Sequence, residues 1–172
     1  MEKSQKDLRK RIYADAKITI CTAVITGIVA VLQFWHYVIL WRLRNIQEKI
    51  GEYYEQEASV DMALKRAVLC LFMCVVLILF SCILNEIHKT GRPFSQKIIK
   101  RMQTMAVLLM VAAVFPDMAV MVVEVVTSTN TAKMNLFDYE NVIPMIFGVC
   151  MGLMSEIFKY GYEIQEDIDQ IA

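Results

Sequence analysis

The residue best placed for chemistry is an aspartate inside an apolar run of the chain. Asp117 directly follows Pro116 in the 25-residue run from Met102 to Val126, whose second acid is Glu124. Asp117 lies three positions past the middle of this run, which is about 5 Å along a helix. A charge near the centre of a bilayer costs at least about 2.5–3.5 kcal/mol. We therefore expect Asp117 to face other helices, to be protonated or to meet water.

Two roles fit Asp117. As a functional group it would hold a proton or a cation, or act as the pivot of a switch. The pivot is suggested by Pro116, which leaves the carbonyl of Ala112 without its usual partner and should kink the helix. As a structural group it would bond to a Ser, a Thr or the backbone of a neighbouring helix. Glu124 lies one heptad further on, and we expect it to be a solvated charge at the membrane surface.

The other candidate ligands do not suggest a metal or catalytic site. His36 and His88 fall on opposite sides of the membrane in the topology argued below, so they cannot share a metal. Cys70 and Cys74 share a helix face, but two thiols are too few for a typical zinc site. The twelve methionines are scattered along the chain, which favours packing over copper binding. Without H-E-x-x-H, G-x-S-x-G or P-loop motifs, we predict no enzyme, no metal and no cofactor.

Four long apolar stretches explain the composition. Hydrophobic residues make up 57% of the 172 residues, above the ~45–50% usual in soluble proteins. They concentrate in stretches close to the ~17–25 residues that a membrane span requires, at residues 18–40, 67–84, 102–126 and 142–158. Helices of a soluble bundle, the alternative, would carry a polar face that these stretches mostly lack. We predict an all-α fold, a single four-span transmembrane helix bundle over residues 1–172.

Basic residues set the expected orientation. With the N-terminus in the cytoplasm, 12 of the 18 Lys and Arg residues lie inside and 6 outside. The positive-inside rule therefore favours cytoplasmic N- and C-termini. Five basic residues in the first loop argue against this orientation: Arg42, Arg44, Lys49, Lys65 and Arg66.

Small residues mark the expected helix contacts. Gly148 and Gly152 form a G-x-x-x-G pair in the fourth span, and Glu156 continues the same face. Glycines let two backbones approach closely, so the pair predicts a packing seam. Packing within the chain is favoured over a homo-oligomer, which stays open, because three other helices are available. Ala23 and Gly27 give the first span a similar face.

Two segments on the expected cytoplasmic side carry opposite charge. Loop 2 with the start of the third span, residues 85–104, has five basic residues and one acid, whereas the tail, residues 159–172, has one basic residue and four acids. Gly91 and Pro93 indicate a turn in loop 2, and Ser95 is a suitable N-cap for a helix beginning at Gln96. The basic clusters flank spans, which is typical of lipid contacts rather than of nucleic-acid binding.

The acidic tail keeps a helical period. Its apolar stripe consists of Ile157, Gly161, Ile164, Ile168 and Ile171. We expect the fourth helix to extend into the cytoplasm as an amphipathic helix. Membrane-surface helices are typically basic, so this acidic helix should instead dock on loop 2. Exposed ion pairs add only about 0–1 kcal/mol each, so burial of the isoleucines would have to supply most of the energy.

The motifs GRPFS, at residues 91–95, and IFKYG..IQEDID, at residues 157–169, together with the four-span layout, resemble the bacterial membrane family called domain of unknown function 2975. The resemblance covers essentially the whole chain. Family members usually read Leu-Gln-x-Glu-x-Asp-x-Thr in the tail, and Ile171 stands here in place of the threonine. The matching residues are Gly91, Pro93, Phe94, Ser95, Ile164, Gln165, Asp167 and Asp169.

The resemblance implies a multi-pass protein of the bacterial cytoplasmic membrane with no assigned activity. Members resemble proteins often encoded beside a small helix-turn-helix regulator, which suggests a cytoplasmic transcription regulator as partner, by analogy. We therefore expect a non-catalytic sensor or docking platform in the lipid bilayer that does not bind nucleic acid itself. The alternatives are a small transporter or immunity-type membrane protein that uses Asp117, and a structural subunit of a larger membrane complex.

Overall fold

The protein consists of four long helices. The computed structural model describes residues 2–50, 57–91, 93–127 and 139–171. The helices are α1 (Glu2–Ile50), α2 (Glu57–Thr90), α3 (Gln96–Thr127) and α4 (Tyr139–Ile171). Each contains a stretch long and apolar enough to cross a membrane, namely Lys10–Arg44, Val60–Thr90, Gln96–Val126 and Asn141–Gln170. This confirms the predicted all-α class with four apolar helices, which fits a multi-pass membrane protein.

The helices pack in chain order. Helix α1 packs on α2, α2 on α3, and α3 on α4, while among the described residues no Cα atoms of α1 and α4, α1 and α3, or α2 and α4 approach within 8 Å. The bundle is therefore open, with α1 and α4 at its two edges. We call the end where α1 begins and α4 ends the tail end, and the opposite end the far end.

Small residues join α1 to α2. Two side chains of α2 donate hydrogen bonds to carbonyl oxygens of α1, from Cys74 Sγ to Ala23 at 3.3 Å and from Ser81 Oγ to Ala16, also at 3.3 Å. A Cβ atom on Gly27 would meet Cys74 Sγ at 3.5 Å. The small side chains allow this close approach. Three alanines spaced seven residues apart are buried where α1 meets α2: Ala16, Ala23 and Ala30.

A cluster of aliphatic side chains joins α2 to α3. It contains Val76, Ile83, Ile98, Met102, Met105 and Leu109, with Met151 and Phe158 of α4 packed against it. Between helices in lipid such contacts act through close packing rather than through the hydrophobic effect. Helix α3 runs unbroken through Pro116, which is fully buried.

Loop 2 is a tight connection at the tail end. Gly91 adopts a positive φ of 66°, and its N–H donates to the carbonyl of Ile87 at 2.8 Å, which closes α2 with the left-handed residue that favours glycine. Ser95 Oγ accepts the N–H of Ile98 at 3.4 Å, and α3 begins at Gln96. The N-cap that the sequence predicts at Ser95 is therefore observed. Arg92 lies outside the described residues.

Candidate functional site

Asp117 of α3 pairs with a lysine of α2. Lys65 Nζ lies 2.9 Å from Asp117 Oδ1, and both side chains are only 12% exposed. The sequence predicts a Ser, a Thr or backbone as the structural partner of Asp117, whereas the observed partner is a cation. This ion pair offsets the cost of placing a carboxylate between apolar helices.

Asn141 of α4 binds the other oxygen of the same carboxylate. Its Nδ2 donates a hydrogen bond to Asp117 Oδ2, and the Asn141 side chain is buried, with the residue 2% exposed. We call Lys65, Asp117 and Asn141 the polar cluster. Through its two carboxylate oxygens, Asp117 thus connects Lys65 of α2 with Asn141 of α4.

The polar cluster lies towards the far end of the helices. Asn141 is two positions after the first residue of α4, and Lys65 is eight after that of α2, whereas Asp117 is ten before the last residue of α3. These offsets correspond to about 3, 12 and 15 Å along the respective helices. Asp117 therefore lies closer to the far end of the bundle than its position near the middle of the apolar run suggests. A lysine near a helix end can also reach towards water with its charged group.

Glu124 is buried, not solvated. It is 4% exposed, so the prediction of a solvated surface charge is wrong. Glu124 lies seven positions after Asp117, which is close to two helical turns. Both acids therefore share the face of α3 that turns towards the rest of the protein.

Lys65 and Asn141 are the members of the cluster that sequence reasoning missed. Asn141 stands just before the predicted fourth span. Lys65 is assigned to the first loop because it stands directly before Arg66 and the charge-free run from Ala67. The missed signal is the spacing of apolar residues on either side of Lys65, which are buried at helical intervals: Val60, Ala63, Leu64 and Ala67. This spacing extends the buried face of α2 past Lys65.

Other charged groups surround the far end. The Tyr37 hydroxyl of α1 lies within electrostatic range of Asp61 and Arg44. Within the described ranges, no three His, Cys, Asp or Glu side chains come together as metal ligands. The Lys65–Asp117 ion pair gives the polar cluster the chemistry of a charge pair, which a proton or a competing ion could open.

Loop 2 holds α4 at the tail end. The rings of Phe94 and Phe158 pack edge to face with centroids 5.3 Å apart. A Cβ atom on Gly161 would lie 2.8 Å from Cε1 of Phe94, which is closer than such contacts allow. The guanidinium of Arg101 on α3 donates to the carbonyl of Cys82 at 2.9 Å and lies 3.9 Å from the Glu86 carboxylate. Phe94 thus places α4 beside the α2–α3 connection.

The isoleucines of the tail are exposed. Ile157, Ile164 and Ile168 are 60%, 43% and 59% exposed, so the expectation that they are buried on loop 2 is wrong. Phe158 and Gln165 are partly buried instead. Each follows an isoleucine of the stripe by one position, which turns it about 100° around the helix. The Ile171 side chain lies outside the described residues.

The acids of the tail face solvent. Glu163, Glu166, Asp167 and Asp169 are exposed, and in the part of the chain that the structure describes they form no ion pair with loop 2. Helix α4 therefore presents isoleucines and carboxylates together at the tail end.

Gly148 and Gly152 face α3. A Cβ atom on Gly148 would lie 3.0 Å from Cγ of Met110 and 3.2 Å from the carbonyl oxygen of Ala106, whereas one on Gly152 would lie 4.0 Å from Cβ of Ala106. The glycine pair thus lies at the α3–α4 seam of this chain, while Glu156 is exposed. Beside the seam, an apolar groove of about 570 Å³ opens on the α3–α4 face.

Comparisons with protein-family models, with curated proteins and with solved structures give no match to this chain. The likeness to domain of unknown function 2975 therefore stays a prediction from the motifs quoted above.

Proposed function

We propose that this protein is a non-catalytic sensor or docking platform of the bacterial cytoplasmic membrane, which binds a cytoplasmic regulator. The observation that carries the proposal is the continuity of α4. This one helix of 33 residues bonds through Asn141 to the polar cluster at the far end. At the tail end it exposes the isoleucines and acids.

The distribution of basic residues supports an orientation in which both termini are cytoplasmic. In that orientation 12 of the 18 Lys and Arg residues are inside, in line with the positive-inside rule. The polar cluster then lies near the outer surface, and the tail end lies in the cytoplasm. A stimulus and a soluble partner would thus act on opposite ends of the same helix.

The exposed stripe of α4 supports a helical partner. Ile164 and Ile168 are one turn apart and exposed, and the acids lie beside them. An amphipathic helix that carries apolar residues at i and i+4 and a basic flank would complement this surface in shape and charge. A small helix-turn-helix regulator, which the family resemblance suggests, is helical and binds DNA through basic groups.

Contacts at both ends of α4 support coupling between the two ends. The bond from Asn141 to Asp117 fixes the start of the helix relative to α3 and, through Lys65, relative to α2. Phe94 fixes it again at Gly161. A stimulus that breaks the bond between Asn141 and Asp117 would release the first contact, and α4 could then shift as a unit against α3.

The test is affinity capture of cytoplasmic proteins by the full-length protein in mild detergent. Wild type is compared with a variant in which Ile164 and Ile168 are serine, and with a matched control in which the exposed Lys97 and Lys100 of α3 are glutamine. We expect a partner that binds wild type and the control but not the serine variant. Capture of no partner, or equal capture by all three proteins, would refute the docking function.

A second function, a small transporter or immunity-type membrane protein, is favoured by the ion pair of Lys65 and Asp117 between apolar helices. Ionisable groups in spans often mark ion or proton paths. Asp117→Asn should then abolish proton-coupled flux or protection from a toxin while the protein is still inserted at normal levels. Unchanged flux and protection in this variant would eliminate the second function.

A further inference from the structure

The two edges of the open bundle carry opposite charge at the same end. Among the described residues, the backbone of α1 approaches no helix but α2, and that of α4 approaches no helix but α3. Residues 2–17 at the start of α1 hold six basic and three acidic residues, whereas residues 159–172 hold one basic and four acidic residues. Because α2 and α3 separate them, no Cα atoms of the described residues in these two segments come within 8 Å of each other in one chain.

We propose that copies of this chain associate head to tail, with α4 of one copy packed against α1 of the next. The acidic tail of the first copy then lies against the basic N-terminal segment of the second. The occupant of the α4 edge is thus a second copy of this protein, which along the tail competes with the regulator proposed above for Ile164, Ile168 and the acids beside them. This inference does not rest on the binding of a regulator.

The charges select this pairing over the symmetric ones. Two α1 edges would bring basic segments together, and two α4 edges would bring acidic tails together, and like charges in contact oppose association. Only the pairing of α1 with α4 joins opposite charges. It is a heterologous contact, which produces a ring if the rotation closes and an open row if it does not.

The register of this contact follows from helix geometry. Helices α1 and α4 run in opposite directions through the bilayer, and both rise about 1.5 Å per residue. If Arg11 lies level with Glu166, then Ile28 lies level with Val149 and Trp35 lies level with Val142. One register therefore aligns the charged segments and the apolar stretches at the same time.

The groove on the α3–α4 face supplies a receptor for α1. Its volume is about 570 Å³, and its lining includes Met110, Phe115, Val149 and Gly152. At the same level α1 exposes Ile28, which is 56% exposed, and further branched side chains one turn to either side. Apolar area alone does not drive association in lipid, but close fit around small residues does.

The ion pairs make the association sensitive to salt. Lys10 and Arg11 are exposed, as are the four acids of the tail, so each pair contributes only about 0–1 kcal/mol. Their action is largely screened when ionic strength shortens the Debye length from about 10 Å at 0.1 M to about 3 Å at 1 M. We therefore expect assemblies at low salt and mostly single copies near 1 M salt.

Cysteine cross-linking between copies tests the pairing directly. Leu8 and Ile168 are both exposed and uncharged, and they lie level within one residue in the proposed register. In a background with the five native cysteines replaced by alanine, Leu8→Cys and Ile168→Cys copies carrying tags of different size are mixed in liposomes and oxidised. We expect a disulfide between unlike copies, at least ten times more abundant than dimers of either variant alone.

Two control proteins distinguish this contact from random collision in the bilayer and from a disulfide within one chain. Val126→Cys is exposed at the far end and should not cross-link to Ile168→Cys. A chain carrying both Leu8→Cys and Ile168→Cys, isolated at one copy per nanodisc, should form no internal disulfide. An internal disulfide there, or equally abundant dimers of like copies, would overturn the proposal.

Charge reversal tests the same contact with the native cysteines in place. Changing the four tail acids to lysine should convert assemblies to single copies, counted by single-molecule photobleaching in neutral-lipid liposomes. Adding Lys3→Glu, Lys6→Glu, Lys10→Glu and Arg11→Glu in the same chain should restore them. Changing Lys97 and Lys100 to glutamate, the matched control, should leave them intact.

The remaining outcomes of the charge-reversal experiment are decisive as well. The proposal is overturned if wild-type protein at low salt is a single copy both in neutral-lipid and in anionic-lipid liposomes. Assemblies that the charge reversal leaves unchanged overturn it too. Association seen only with anionic lipid would show that lipid, and not a second copy, occupies the basic segment.

Discussion

Lys65 and Asp117 form an ion pair between α2 and α3, with 2.9 Å between the ammonium nitrogen and the carboxylate oxygen. The second oxygen of Asp117 accepts a hydrogen bond from Asn141 of α4, so one carboxylate connects three helices. Removing one member of a buried ion pair leaves the other charge without compensation, whereas replacing both by apolar groups is often neutral. The pair therefore makes a sharp prediction about stability.

We predict that Lys65→Met and Asp117→Leu are each destabilising by about 3–5 kcal/mol. The double variant should be destabilised by only about 1–3 kcal/mol, the cost of leaving the buried Asn141 amide without its acceptor on Asp117. The measurement is reversible unfolding of the purified protein in detergent, followed by circular dichroism. Lys97→Met, which removes an exposed charge from α3, is the control and should change little. Single and double variants of equal stability would contradict a coupled pair.

Asn141 gives a second, smaller prediction. Asn141→Ala removes a hydrogen bond to a charged group and leaves Asp117 with Lys65 alone, at an expected cost of about 1.5–3 kcal/mol. The loss should appear locally, as faster amide hydrogen exchange in the first turns of α4, while α1 is unaffected. Asn85→Ala, at an exposed position of α2, should leave exchange in α4 unchanged. Equal exchange in wild type and Asn141→Ala would mean that the bond does not hold α4.

The sequence could predict the four helices because each apolar run approaches or exceeds the length of a membrane span. It also indicated that Asp117 turns towards other helices, since a carboxylate facing lipid is costly. It could not predict the partner of Asp117. Lys65 stands at the border of a charge-free run, where a basic residue is typical of a loop, and the register between α2 and α3 decides whether it reaches the carboxylate.

The rotation of α4 about its axis was the other feature that sequence periodicity left undetermined. A stripe of isoleucines indicates one apolar face, but not whether that face meets protein or the surroundings. The glycine seam against Ala106 and Met110 settles the rotation. With Gly148 turned to α3, Phe158 faces loop 2 and Ile157 faces away.

The space around each glycine of α4 predicts how strongly its replacement by alanine should destabilise the protein. Gly161→Ala should be destabilising, because its Cβ would lie 2.8 Å from the Phe94 ring. Gly148→Ala should cost less, because it meets the flexible side chain of Met110 at 3.0 Å, with the Ala106 carbonyl at 3.2 Å. Gly152→Ala should cost least, since 4.0 Å to Ala106 is an ordinary contact. Thermal unfolding in detergent gives the order.

A rescue variant shows whether the Phe94 ring is the cause of the Gly161 effect. Phe94→Ala removes the ring that a Cβ on Gly161 would meet, so Gly161→Ala should cost much less in the Phe94→Ala background than in wild type. The difference between the two costs is the interaction energy of a double-mutant cycle. A cost that is the same in both backgrounds would contradict the close contact.

The orientation proposed for the helices predicts which ends of the chain a membrane-impermeant thiol reagent reaches. Single cysteines at Leu8 and Asp169 mark the tail end, and one at Met62, which is exposed near the start of α2, marks the far end. In intact bacterial cells we expect labelling at position 62 alone, since the basic residues favour a cytoplasmic tail end. Permeabilised cells, in which all three should react, are the control. Labelling at positions 8 and 169 but not at 62 in intact cells would show that the protein has the opposite orientation in the membrane. The polar cluster would then face the cytoplasm, and a soluble regulator could not reach the tail.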